Sequence, residues 1–271
     1  MRRVVRVVSD PGPEALAEAA AEHLASCAEA AVADRGRFLL ALSGGSTPLR
    51  MFDLLAREDW AARVPWERTW VLWADERCVP PEHPDSNYGA AHRTLLSRVP
   101  LAPERVLRMR GEDDPARAAD AYECAVRELL GSNPRLDLVL LGMGADGHTA
   151  SLFPGTEAVE ERQRYAVANH VPQLQSWRLT LTLGLLNRSR KVLFLVSGSE
   201  KAGTLARVLE PGVQAEEGPQ LLPAARVRPA EGELLWLVDG PAASALGPRG
   251  VNGGSPPHLE ETHDLPTTWN E

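Results

Sequence analysis

The amino-acid sequence predicts an α/β fold, a mostly parallel sheet with helices on both faces. Three observations lead there. Apolar runs of five to eight residues, rich in β-branched side chains, recur along the chain. Helical patterns, most of them of ten or more residues, separate these runs. No Pro/Gly-rich linker and no internal repeat interrupts the alternation over the first 245 residues. Short apolar strands joined by helices pair in parallel and are covered on both faces, so their sequences are apolar throughout instead of alternating.

The elements follow in order. RVVRVV (3–8) reads as a strand, and the Ala- and Glu-rich stretch 11–33 as a long helix. RFLLAL (37–42) is a strand, followed by a Gly-Ser turn and a helix through Leu55. RTWVLWAD (68–75) is a strand that ends in charged residues. A Pro-rich loop leads to a helix over 86–96, and RVLRM (105–109) is a short strand. A helix over 115–130 precedes the strand LDLVLLG (136–142). KVLFLVSG (191–198) is a strand with a helix over 199–209 behind it, and ELLWLVD (233–239) is the last strand, with a short helix after it. The expected organisation is a single domain over 1–245. Residues 246–271, rich in Gly, Pro and polar side chains without periodicity, are expected to be a disordered tail.

At 271 residues the chain is long enough to bury a substantial core. Its net charge of −8 argues against a general nucleic-acid binder and leaves room for an anionic metabolite held by a local cluster of basic groups. Only two lysines occur among the 29 basic residues, Lys191 and Lys201. The three cysteines, Cys27, Cys78 and Cys124, are widely spaced and contain no C-x-x-C, so a disulfide framework or cysteine zinc site is not expected. No apolar run approaches the roughly 20 residues of a membrane span, and the N-terminal run is too short for a signal sequence. A cytoplasmic location is the expectation. The sequence carries no signal of oligomeric state.

In an open parallel sheet, ligands bind beyond the carboxyl ends of the strands. Four loops there carry chemistry. Ser43, Gly44, Gly45, Ser46 and Thr47 lie between a strand and a helix. Two glycines let the backbone approach a ligand, and the free N–H groups of the helix start can wrap a phosphate; the alternative is an ordinary turn with Thr47 as N-cap. Asp75, Glu76 and Arg77 follow a strand directly, as a solvated loop or as part of a site. The stretch LGMGADGHTASLFPG holds Gly142, Gly144 and Gly147 in G-x-G-x-x-G spacing. A dinucleotide fingerprint also needs a long helix after the glycines and an acidic residue at the end of the next strand. Pro154 and Gly155 and the polar stretch behind them supply neither, so the turn is read as presenting Asp146 and His148. Histidine suits proton transfer near neutral pH, although a lone histidine more often packs or caps. Arg178 and Lys201 are the fourth group, surface charges taken singly and a dianion pocket when combined with the Ser-Gly-Gly-Ser turn. No H-E-x-x-H or tight carboxylate cluster suggests a metal, and G-x-S-x-G is absent.

LALSGGSTP, WADER, SNYG, LGMGADGHTASLFPG, RLTLT, VLFLVSGSEKA, LPAARVRP and LLWLVD occur in this order. Together they resemble the soluble 6-phosphogluconolactonases, relatives of glucosamine-6-phosphate deaminase, over residues 4–243. The resemblance implies a Rossmann-like fold, hydrolysis of 6-phospho-D-glucono-1,5-lactone, and no metal or organic cofactor. The related deaminases carry a glutamate five residues after the equivalent histidine, where this chain has Phe153, and usually an aromatic residue at Arg77. Both departures favour the lactonase over a deaminase-like enzyme. A non-catalytic sugar-phosphate sensor is the other alternative. His148 is expected to act as general base, Asp146 to orient it, Arg77 or backbone N–H groups near Gly144 to stabilise the oxyanion, and Asp75 to bind sugar hydroxyls. Ser43, Gly44, Gly45, Ser46, Thr47, Arg178 and Lys201 are expected to hold the phosphate.

Overall fold

The computed structural model describes residues 2–8, 13–209 and 221–247. Along the chain run β1 (Arg2–Val8), α1 (Pro13–Arg35), β2 (Phe38–Leu42), α2 (Ser46–Leu55), α3 (Glu58–Ala61), β3 (Thr69–Trp73), β4 (Asp75–Arg77), α4 (Asn87–Thr94), α5 (Pro115–Leu130), β5 (Leu138–Leu141), β6 (Ala166–Val171), β7 (Ser176–Leu181), α6 (Leu183–Leu186), β8 (Lys191–Val196), α7 (Ala202–Leu209), β9 (Glu233–Asp239) and α8 (Gly240–Ala243). Six strands lie side by side in the order β1, β9, β8, β5, β2, β3, every pair parallel. All residues of β2 and β5 are buried, as a sheet covered on both faces requires. The predicted class is therefore the observed one.

From β2 the chain steps to β3 on one side, and later returns to place β5 on the other. The loops after β2 and β5 therefore part, and a crevice opens between them at the carboxyl ends. This is where the sequence put its Ser-Gly-Gly-Ser and Gly-Asp-Gly-His turns.

The helices fix that edge. On α1 a small apolar stripe, Leu16, Ala20, Leu24, Ala28 and Ala31, is buried at helical spacing, and the alanines let it lie close on α2 and β9. Asp114 caps α5 by accepting from the Arg117 N–H at 3.1 Å, and Gly131 ends it with φ 62°. Its buried face presents Tyr122, whose hydroxyl accepts from the Trp73 N–H at 2.9 Å and donates to the Trp73 carbonyl at 3.0 Å. That pair pins the end of β3, two residues before Asp75.

Three expectations change. The strand expected over 68–75 divides at Ala74. Its N–H still donates to the Leu42 carbonyl at 2.7 Å, while its carbonyl accepts from the Leu181 N–H at 2.7 Å. The chain thereby leaves the large sheet and enters a second, antiparallel one, ordered β4, β7, β6. Residues 105–109 form no strand. Val106 alone bridges Val71, and the segment bends away as Arg108 and Arg110 turn to Glu112 and Asp113. The expected helix 199–209 begins with a 3-10 turn over Ser199–Lys201 before α7. Of the expected tail, Leu246 packs on the core, and residues 248–271 lie outside the described residues. Among the described residues, no helix is long and apolar enough to cross a membrane.

Candidate active site

A cleft of about 210 Å³ lies at the crevice between the loops after β2 and β5. It brings together Ser43, Gly44, Gly45, Ser46, Thr47, Asp75, Arg77, His148 and Lys201 from separate loops of the chain. Asp146 stands behind His148, and Arg178 stands beside Arg77.

The turn after β2 leaves a helix start open to the cleft. Gly45, with φ 108°, is the N-cap of α2, and no side chain bonds the free N–H groups there. This settles one open reading: Thr47 lies inside the helix and is not its cap. The first turn holds no acidic residue, so the positive end of the helix dipole is uncompensated. Ser43 ties the turn to the neighbouring strand by donating to the Leu140 carbonyl at 2.7 Å.

The turn after β5 closes on itself. The Gly144 N–H donates to the His148 carbonyl at 2.9 Å, and the Gly147 N–H to the Gly144 carbonyl at 3.0 Å. Gly147 has φ 82°, a left-handed conformation that favours glycine. Gly144 serves a different need. A Cβ there would overlap the His148 ring and the Asp146 carboxylate. No helix starts at these glycines, so their spacing serves the turn and not a pyrophosphate. Asp146 Oδ1 lies 2.6 Å from His148 Nδ1 and accepts from the His148 N–H at 3.1 Å. The imidazole stacks on Phe153, ring centroids 4.1 Å apart and planes 22° from parallel. One nitrogen is thus engaged by a carboxylate, and Nε2 is left to exchange a proton.

The third wall comes from the small sheet. Arg77 and Arg178 are directly paired across β4 and β7. Arg77 donates to the Asp85 carbonyl at 2.7 Å, and Arg178 to Ser176 Oγ at 2.5 Å and the Trp177 carbonyl at 3.0 Å. Burial, then the neighbouring Arg77 charge, push the Arg178 guanidinium below its ordinary pKa. Two like charges paired across adjacent strands favour any anion that joins them. Lys201 completes the cationic lining from the turn after β8, where Asp239 accepts from Ser197 Oγ at 2.6 Å and caps α8 through the Ala242 N–H at 2.8 Å.

Sequence reasoning missed two residues, Asn87 and Ser151, and gave a third, Glu76, no role of its own. Asn87 lines the cleft and is 4 % exposed. Ser151 donates to Asp75 Oδ2 at 2.7 Å. Glu76 is buried, and its carboxylate accepts from the N–H groups of Arg77, Asn87 and Tyr88 at 2.7, 2.8 and 2.8 Å. Burial raises the Glu76 pKa, those three donors oppose the rise, and the Asp75 charge adds to it. The fragment SNYG was the signal for Asn87, but its position against Asp75 depends on tertiary structure. Burial pushes the Cys78 thiol up to about 11, away from the reactive thiolate form. Among the described residues no three His, Cys, Asp or Glu side chains gather to hold a metal ion.

A parallel sheet with an uncapped helix start and a carboxylate-oriented histidine at its switch point defines an α/β enzyme acting on a small anionic substrate. Residues 11–236 match the family described as glucosamine-6-phosphate isomerases/6-phosphogluconolactonase, and the chain belongs to that family. It is 37 % identical to the 6-phosphogluconolactonase of a Nostoc species over 251 residues, covering 91 % of this chain and 99 % of the relative. The human 6-phosphogluconolactonase is 40 % identical over 240 residues, 86 % of this chain and 88 % of that one. Among solved structures, 6-phosphogluconolactonase from Trypanosoma brucei superposes with a TM-score of 0.79 at 27 % identity, covering 91 % and 99 % of the two chains. A monomeric glucosamine-6-phosphate deaminase shares the fold, with a TM-score of 0.71 at 21 % identity.

Proposed function

We infer that the chain hydrolyses 6-phospho-D-glucono-1,5-lactone to 6-phospho-D-gluconate, the second step of the oxidative pentose phosphate pathway. The observation that carries this reading is the surroundings of His148. Its Nδ1 is held by Asp146 at 2.6 Å, and Phe153 stacks on its ring. By the resemblance, deaminases place a glutamate at that position for sugar isomerisation, and a phenyl ring cannot carry a proton. A single base suffices for lactone opening.

In this reading His148 Nε2 takes a proton from water as the oxygen attacks the lactone carbonyl. The ring C–O bond then breaks, and the imidazolium returns the proton to the leaving oxygen. Such a base is worth roughly 10²–10⁴-fold. Arg77 and the backbone near Gly144 face the developing oxyanion, where loss of one donor costs about 3–4 kcal/mol. Asp75 accepts from sugar hydroxyls. The Ser43–Thr47 turn and Lys201 hold the phosphate. Arg178, paired with Arg77, contributes its charge from behind the cleft wall. The three cysteines are free thiols, which supports a reducing cytoplasm; two rice relatives are named chloroplastic.

The test follows opening of freshly generated lactone against a blank, beside unphosphorylated gluconolactone and glucosamine 6-phosphate. Acceleration with preference for the phosphorylated lactone is expected. Ammonia release from glucosamine 6-phosphate would return the chain to the deaminases. Binding of the lactone without turnover would make it a sensor.

A further inference from the structure

Asn87 sits where three loops meet. Its backbone is tied to a buried carboxylate. Glu76 accepts from the N–H groups of both Asn87 and Tyr88 at 2.8 Å and from Ser86 Oγ at 3.2 Å, and Ser86 Oγ accepts from the Gly89 N–H at 2.9 Å. A buried carboxylate therefore clamps the first turn of α4. The Asn87 side chain then reaches across the cleft wall. Nδ2 donates to the Asp75 carbonyl at 2.9 Å and to Asp75 Oδ1 at 3.3 Å. Oδ1 lies against Gly44, so closely that a Cβ on Gly44 would overlap it.

The other Asp75 oxygen accepts from Ser151 Oγ, three residues beyond His148. Ser151 is itself fixed, its N–H donating to Thr180 Oγ1 at 3.2 Å and its carbonyl accepting from Asn169 Nδ2 at 2.8 Å. The Asp75 carboxylate is thus gripped from both sides, by Asn87 at the start of α4 and by Ser151 from the histidine loop.

We propose that Asn87 is a positioning residue for this reaction: its amide sets the Asp75 carboxylate and the Gly44 backbone at a fixed separation, so that sugar hydroxyls and phosphate are engaged together. This rests on the hydrolytic reading above. The amide suits the task because it both donates to a carboxylate and presents an oxygen to a backbone. An aspartate of the same shape cannot donate, and it puts a second negative charge beside Asp75.

The split between kcat and KM separates this role from a structural one. Lys201 and the α2 start still bind phosphate when Asn87 is changed, but the lactone sits out of line. Misplacement by about 1 Å costs on the order of 10²-fold in rate. Asn87→Ala and Asn87→Asp should each lower kcat roughly 10- to 100-fold, with KM within about threefold of wild type. In an Asp75→Ala background, Asn87→Ala should add less than about threefold, because both changes remove one unit. Circular dichroism and the denaturation midpoint accompany each variant, and Asn87→Asp, which keeps the shape, stands in should Asn87→Ala not fold. Wild-type kcat in the folded variants would overturn the inference, as would losses that multiply in full with Asp75→Ala. If the wild-type protein itself fails to open the lactone, the functional reading fails first.

Discussion

The two ends of the parallel sheet treat charge differently. At the starts of the strands, charges are matched. Asp137 is buried before β5 and accepts from the Leu39 N–H at 2.8 Å and from Arg35 Nε at 3.0 Å, with Arg190 Nε at 3.4 Å. Lys191 faces Glu233 at 3.7 Å. At the ends of the strands, cations gather in a cleft whose carboxylate, Asp75, is bonded to Asn87 and Ser151 instead of to them. Among the described residues Arg77, Arg178 and Lys201 form no ion pair, and both arginines bond carbonyl or hydroxyl oxygens. A matched charge holds a fold together, whereas an unmatched one beside an uncapped helix is what the proposed phosphate site requires. The two lysines illustrate the split, Lys191 at the matched end and Lys201 in the cleft.

The comparison can be broken from either side, and the largest effect is expected at Gly144. Gly144→Ala drives a methyl into the His148 ring and Asp146, so kcat should fall by at least roughly 10²-fold through misplacement of the base. Steady-state kinetics checks it; an unchanged kcat would show that the turn can yield. At the matched end, Asp137→Ala leaves the Leu39 N–H and Arg35 without their acceptor. It should cost about 2–4 kcal/mol in urea unfolding, with kcat and KM kept in the folded protein. Lys201→Ala should raise KM about 10- to 100-fold with kcat largely retained, the pattern of lost binding to a charged group. A fall in kcat alone would move Lys201 from phosphate to chemistry.

The smallest effect concerns His23, on the face of α1 near Lys191 and Glu233. Burial, then the Lys191 and Arg6 charges against an opposing Glu233, lower its pKa to about 4. The unfolded chain binds that proton more readily, near 6.5, so this contribution to stability is full above pH 6.5 and declines as pH falls toward 4. Screening by partial exposure leaves about 1–2 kcal/mol. His23→Gln should flatten stability against pH in that window without touching catalysis, and unfolding at pH 7 and pH 4.5 checks it.

The sequence made some of this legible and hid the rest for physical reasons. His148 and Asp146 could be read directly because both partners sit in one tight turn, and the glycines that let them meet lie between and beside them. The parallel strands could be read because burial on both faces makes β2 and β5, and β8 after Lys191, apolar throughout. β6 and β7 escaped because Asn169, His170 and Arg178 interrupt them, and a polar, half-exposed strand reads as loop. Arg178 was grouped with Lys201 and the phosphate turn, whereas its cross-strand partner is Arg77, a pairing set by register over a hundred residues apart in sequence. Asn87 and Ser151 could not be read, because their bonds to Asp75 join residues 12 and 76 positions apart in the sequence.

The most direct measurement is the rate of opening of freshly generated 6-phosphogluconolactone by wild-type protein and His148→Ala, at saturating substrate and against the spontaneous blank. Unfolding midpoints are taken on the same samples. The account predicts a kcat loss of roughly 10²–10⁴-fold with an unchanged midpoint. Wild-type kcat in a folded His148→Ala protein would contradict it and move the base to another group in the cleft.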